Sequence, residues 1–231
     1  YRITEDKIRK TKDESVYRFV NKTDSMIHEF LKTNPAISSH PILGNSEIDV
    51  PNIEYDLVIT SPPYGDSKTT VAYGQYSSFG SEWIRGLNKY ETMTYDVDKE
   101  CLGKSGYINK GIYNCKPLMD ILTVIKDKDR KRYLDVLYFF NGYLKSIIRT
   151  AINLKEGGKM CFVVGNRTVK GFQIPMDQIT AYFMDEIGLT FKEILVRNIL
   201  NKVMPYKNSP TNQSGVKSKT MTKEYIVIFR K

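Results

Sequence analysis

An apolar run that stops at two consecutive prolines constrains this chain more than any other feature in it. Asp56-Leu57-Val58-Ile59-Thr60 has the length and the β-branched content of a short buried strand. Ser61-Pro62-Pro63-Tyr64 ends that strand at once, because neither proline can donate to a ladder. A small hydroxyl, two rigid rings and an aromatic are thus delivered to the carboxyl end of a strand, which is where open α/β sheets bind ligands.

The other layers of such a sheet follow downstream. Tyr133, Leu137, Phe140, Leu144, Ile147, Ala151 and Leu154 recur at helical spacing and predict a helix from about Lys131 to Leu154, with Gly157-Gly158 as its stop. Residues 119–126 predict a shorter apolar helix ahead of it. Lys159 to Val164 reads as a second buried strand and Asp177 to Ile187 as an amphipathic helix ended by Gly188. Leu189 to Ile199 and Glu224 to Arg230 read as two more strands. This alternation predicts an α/β fold, a doubly wound and mostly parallel sheet with a late antiparallel pair. Residues 1–40 form a separate helical segment with an irregular apolar stripe of Val16, Phe19, Val20, Ile27, Phe30 and Leu31, ended near Asn34-Pro35. Residues 41–231 make the main portion, with a Gly, Ser, Thr, Tyr and Asn-rich insertion at 65–118.

Charge and cysteines narrow the setting. Thirty-five Lys and Arg against 26 acids leave a net charge of +9, which favours a polyanionic partner held through phosphates. The same balance also occurs in basic proteins with no nucleic-acid role. No apolar run approaches the ~20 residues of a membrane span, and no signal segment opens the chain. Cys101, Cys115 and Cys161 show no CxxC spacing, which points to free thiols in a reducing, cytoplasmic setting. His28 and His40 are isolated, and no metal site is expected. The first residue is Tyr1, so either the chain begins inside a longer protein or its start has been removed.

The residue types after the first strand suit one reaction. The amine on a nucleobase is a poor nucleophile because its lone pair is delocalised into the ring. Acceptors placed on its hydrogens favour a pyramidal nitrogen with a localised pair. The Ser61 hydroxyl oxygen and the Pro62 carbonyl supply two such acceptors, Pro63 stiffens the turn, and Tyr64 offers a face to an extruded base. Methyl transfer is then an in-line displacement at a sulfonium, helped mainly by positioning. An ordinary proline-rich turn is the plain alternative.

Thr60 to Tyr64 after an apolar strand resembles the catalytic motif of DNA amino-methyltransferases, and its leading serine resembles the N4-cytosine branch more than the adenine branch. The longer string Ser61 to Gln75 is similar to restriction-modification methyltransferases, Gly157 to Asn166 to that family's next core strand, and Leu189 to Arg230 to its closing hairpin. This resemblance covers roughly residues 40–231. It implies a Rossmann-like class I methyltransferase sheet, S-adenosyl-L-methionine as cofactor and double-stranded DNA as partner. The expected product is N4-methylcytosine, with N6-methyladenine as the alternative. A non-catalytic DNA-binding or specificity subunit of the same fold is the reading from another class, and an RNA or protein amide substrate is a third.

The resemblance also assigns roles. Thr60, Ser61, Asn45 and Asn166 fall where cofactor contacts are expected, although Asn45 and Asn166 are equally good turn formers. Tyr73 and Trp83, with Tyr76 and Phe79, can stack on bases or build a local mini-core under the long loop. Arg167 and Lys170 can meet phosphate or remain solvated. Lys202, Lys207, Lys217, Lys219 and Lys223 form an acid-free stretch that suits phosphate or a solvated hairpin tip. The family's Gly-x-Gly cofactor loop has no counterpart, because no two of the 15 glycines have that spacing. The expectation is therefore an incomplete sheet, completed by an upstream segment or a second polypeptide that carries the loop.

Overall fold

The computed structural model describes residues 15–32, 38, 40, 42, 44–48, 50–65, 103, 106–199, 207–208, 218–219 and 221–231. The chain divides into two compact units, Tyr1–Leu43 and Gly44–Lys231. In the first, α1 (Ser15–Leu31) carries an apolar stripe that includes Val20, Ile27 and Leu31, all exposed.

The second unit holds a four-stranded sheet. Its strands are β1 (Tyr55–Thr60), β2 (Leu154–Val164), β5 (Thr190–Asn198) and β8 (Lys223–Arg230), in the order β1-β2-β8-β5. β1 and β2 are parallel, and β8 runs antiparallel to both β2 and β5. β5 therefore points the same way as β1 and β2, so three of the four strands share a direction and one reversed strand sits between β2 and β5. This is a Rossmann-like α/β sheet, mostly parallel in strand direction and closed by an antiparallel hairpin. Two short pairs lie outside it: β3 (Thr168–Val169) with β4 (Phe172–Gln173), and β6 (Lys207–Asn208) with β7 (Ser218–Lys219).

Helices α2 (Lys116–Lys128), α3 (Arg130–Ile152) and α4 (Met176–Glu186) pack on one face of the sheet. Residues paired across strands share a face, so Met160, Phe162, Val227 and Phe229 lie together, all buried. α3 lays Tyr143 on Phe162, centroids 6.3 Å apart, and Phe140 on Phe183 of α4 at 6.4 Å. Burying side chains of this size contributes about 1.5–3 kcal/mol each. Several polar side chains in this layer are paired within it. Thr180 donates to the Met176 carbonyl at 2.6 Å, so the Tyr143 hydroxyl, 2.9 Å away, donates to Thr180. Asn141 accepts from the Asn109 amide and donates to the Tyr107 carbonyl.

Two expectations change in detail. The long helix ends at Ile152 without using the glycines, and β2 begins at Leu154 rather than Lys159. Asn153 donates to the Pro51 carbonyl and its own carbonyl accepts from Tyr55, so the chain passes straight from helix into sheet. The glycine pair forms an irregularity inside β2: Tyr55 pairs with Leu154, but Leu57 with Lys159. Gly157 takes φ +79°, a conformation that favours glycine. Towards the end of the 65–118 stretch, Lys110–Asn114 form a 3-10 turn and α2 starts at Lys116.

Among the described residues, no helix of the second unit packs on the opposite face of the sheet. Leu57 and Ile59 of β1 are 51% and 71% exposed there. Leu195 of β5 belongs to the same face, with Ile226 and Ile228 half-buried between. Among the described residues no helix is long and apolar enough to cross a membrane.

Candidate functional site at the strand ends

Parallel pairing brings the carboxyl ends of β1 and β2 side by side, with Thr60 opposite Phe162. β5 ends at the same edge, and antiparallel β8 begins there, with Arg197 opposite Glu224. Four segments distant in sequence thus meet around Ser61–Gly65.

Ser61 is exposed, while Pro62, Pro63 and Tyr64 are half-buried. The Tyr64 hydroxyl donates to Glu224 Oε1 at 2.9 Å and lies 3.4 Å from Ser61 Oγ. Arg197 donates to Glu224 Oε2 through Nε at 3.0 Å and also through Nη2. The Arg197 guanidinium, followed by the Tyr64 hydroxyl bond, holds the Glu224 carboxyl below the usual carboxylate range despite its burial. Burial first, and then the Glu224 carboxylate, push the Tyr64 hydroxyl above its ordinary value, so it remains a proton donor at neutral pH.

Two glycines make room for this cluster. A Cβ on Gly165 would lie 2.8 Å from Tyr64 Cδ2 and closer still to Met221 Sδ. A Cβ on Gly65 would overlap the guanidinium of Arg167. The bare backbone at 65 lets the Arg167 side chain lie across the loop, and the bare backbone at 165 lets the Tyr64 ring sit against the end of β2.

The other expected site residues are placed as follows. Asn45 is half-buried and accepts from the Glu47 amide at 2.9 Å, which makes it the former of its own turn. Asn166 is buried and accepts from the Asp177 amide at 3.2 Å, bridging the end of β2 to the start of α4. Both side-chain oxygens are thus engaged within the fold. Thr60 is half-buried at the end of β1, and Lys223 is exposed at the start of β8. Lys170 takes a left-handed φ of 50° and pairs with Asp129 at 2.8 Å, so its charge is engaged inside the chain. Lys207 and Lys219 are backbone partners of each other in β6 and β7. Tyr73, Tyr76, Phe79, Trp83, Lys202 and Lys217 lie outside the described residues.

Glu224, Arg197, Gly65 and Gly165 are the members of this cluster that the sequence reading passes over. One signal was present: Glu224 is the acid that ends the lysine-rich stretch of residues 200–223, and it opens a predicted strand. Only the hairpin register sets it opposite Arg197.

Sheet order and strand-end cluster together define a Rossmann-like α/β protein that works at the carboxyl edge of its sheet. The chain belongs to the DNA methylase family with N6- and N4-acting members, whose family model matches residues 55–231. It is 40% identical over 184 residues to the type II methyltransferase M.MvaI of Kocuria varians, an alignment covering 76% of this chain and 40% of that protein. The chain thus spans about 40% of the length of the curated relative it matches. Among solved structures, a putative DNA modification methylase from Thermus thermophilus, TTHA0409, aligns at 19% identity over 48% of this chain and 40% of its own, with a TM-score of 0.31. Its complex with S-adenosyl-L-methionine aligns at 18% over 45% and 39%, with a TM-score of 0.28. Similarity of that size leaves the fold to be read from the strand order itself.

Proposed function

We propose that this chain forms the base-handling part of an S-adenosyl-L-methionine-dependent methyltransferase acting on an exocyclic amine in double-stranded DNA, N4 of cytosine, as the modification activity of a cytoplasmic restriction-modification system. The observation that carries this reading is the placement of Ser61–Tyr64 at the carboxyl end of β1, with Tyr64 pinned by Glu224. Ser61 is exposed, so its oxygen is open to an amine hydrogen, and the Pro62 carbonyl is the second acceptor of the reading. Tyr64 gives the extruded base a stacking surface. Arg167, packed on Gly65, brings a cation beside that loop for a flanking phosphate.

The bound cofactor supplies an electrophilic methyl group. The residues at hand fit the base end of such a reaction rather than the cofactor's methionine end. Asn45 and Asn166 have their side-chain oxygens engaged within the fold, and no Gly-x-Gly loop occurs. The reading therefore includes an upstream segment or second polypeptide that carries the loop, seated beside β1. β1 stands at the end of the strand order among the described residues, an edge that natural sheets cover, which supports a partner there.

Nucleoside mass spectrometry of DNA treated with the complete enzyme tests the reaction. N4-methylcytosine is expected, N6-methyladenine would move the chain to the other amine, and neither product would overturn the reading. Ser61→Ala and Tyr64→Ala should each abolish most turnover; methylation unchanged by both would leave a DNA-binding subunit. Calorimetry with S-adenosyl-L-methionine should show weak or no binding by these 231 residues alone and tight binding once the glycine loop is supplied. Tight binding and turnover by this chain alone would refute the two-part assembly.

A further inference from the structure

We propose that Glu224, anchored by Arg197, is a positioning residue that sets the direction of the hydrogen bonds through Tyr64 to Ser61 and so makes the Ser61 oxygen an acceptor toward the target amine. The proposal rests on the reading of Ser61 as an amine acceptor given above.

The argument begins with what each group can do. A carboxylate accepts hydrogen bonds and has no proton to give. Glu224 Oε2 is taken by Arg197, and Oε1 faces the Tyr64 hydroxyl at 2.9 Å. Tyr64 must therefore spend its one proton on Glu224. At the 3.4 Å contact between Ser61 Oγ and the Tyr64 oxygen, geometry alone allows either atom to donate. With the tyrosine proton committed, only the serine proton is left for that contact. Ser61 then turns its hydrogen inward and its lone pairs outward. Reversing the chain would aim the serine proton at the incoming amine, where it would compete for the very lone pair that must attack.

Placement supports the same assignment. The Glu224 side chain is 14% exposed, so its bond to Tyr64 is partly shielded from water. The carboxyl is held below its usual range and stays ionised at neutral pH. Stacking alone would be served by a phenylalanine, so the hydroxyl of Tyr64 has work to do beyond the ring face. The ring itself is seated against Gly165, which keeps the hydroxyl on line between Ser61 and Glu224.

Glu224→Gln in the complete enzyme is the decisive variant, because it preserves size while offering a donor. The glutamine carbonyl will turn to Arg197, which has only donors, and the amide NH2 will face Tyr64. The whole chain then reverses. Turnover should fall about ten- to a hundredfold, the scale of one hydrogen bond to a group that gains charge, with DNA affinity and melting temperature near those of the parent. Adding Arg197→Ala frees the amide to flip, so the double variant should turn over faster than Glu224→Gln alone. In a Tyr64→Phe background, Glu224→Gln should have almost no further effect. A strap that merely holds β8 to the β1 loop would give a mild Gln variant and a worse double variant, and that pattern overturns the proposal. If Glu224→Gln does not fold, Tyr64→Phe carries the test: lowered turnover with unchanged DNA affinity supports the relay, and full turnover refutes it. Loss of activity in Ser61→Ala together with a fully active Glu224→Gln would sink the relay while leaving the methyltransferase reading intact.

Discussion

The two faces of the sheet are built from similar residues and have different fates. On the helix side, Met160, Phe162, Val227 and Phe229 are buried under α2, α3 and α4. On the other side, Leu57, Ile59 and Leu195 are exposed, and no described helix of their own unit packs over them. β1 shows the contrast within one strand, since Val58 is half-buried while Leu57 and Ile59 on either side of it are open. Strand composition alone does not say which face is filled; alternation means that each neighbour along a strand faces a different environment. The apolar content of the open face is what a strand with both faces covered would have.

The largest expected effect tests that contrast directly. Phe162→Ala should lower unfolding stability by about 3–5 kcal/mol, as ring deletion from a core does, whereas Ile59→Ala should stay within roughly 0.5 kcal/mol in the isolated chain. Denaturant melts of the two variants measure both. Comparable losses would break the comparison and mean that another part of the chain covers Ile59. In the assembled enzyme, Ile59→Ala should become costly if a partner seats there.

Next in size is Tyr143→Phe. It removes the bond to Thr180 inside the helix-covered layer and should cost on the order of 1 kcal/mol. Thr180 keeps its bond to Met176, so a melt showing several kcal/mol would point to wider rearrangement of α3 and α4.

A smaller, pH-dependent effect belongs to the site edge. The folded Glu224 carboxyl is held below its ordinary value, so its contribution is fully present above the unfolded value of about 4.3. It is lost as pH falls through the lowered folded value. Carboxyl NMR titration should place the Glu224 transition below that of a free glutamate. In Arg197→Ala it should shift upward. Arg197 is 64% exposed, so salt should reduce the difference.

The smallest effect on stability, but a sharp one in chemistry, separates two thiols. Cys161 is half-buried on the open face, paired with Ile59 and Ile228. Cys115 is fully buried, and burial pushes its thiol up to about 11. Alkylation at pH 8 followed by peptide mapping should modify Cys161 well before Cys115. A partner docked on the open face should protect Cys161.

Much of this molecule was legible in the order of its residues. The Asp56–Thr60 strand, the Pro-Pro stop, the long helix under Phe140, and the four-strand order of appearance all follow from local periodicity and proline chemistry, which need no distant partner. The ends of elements were less secure, as at Gly157-Gly158. There, the pull of Tyr55 and Pro51 on Asn153 decided where helix gave way to strand. The Ser61–Tyr64 loop was readable because its residues are contiguous. Its support was not, because Arg197, Glu224 and Gly165 reach Tyr64 only after β8 inserts antiparallel between β2 and β5. The sequence by itself determined which groups stand at the end of β1; the tertiary structure decided which way their hydrogen bonds run, since direction depends on a carboxylate 160 positions away that only sheet pairing brings within 2.9 Å.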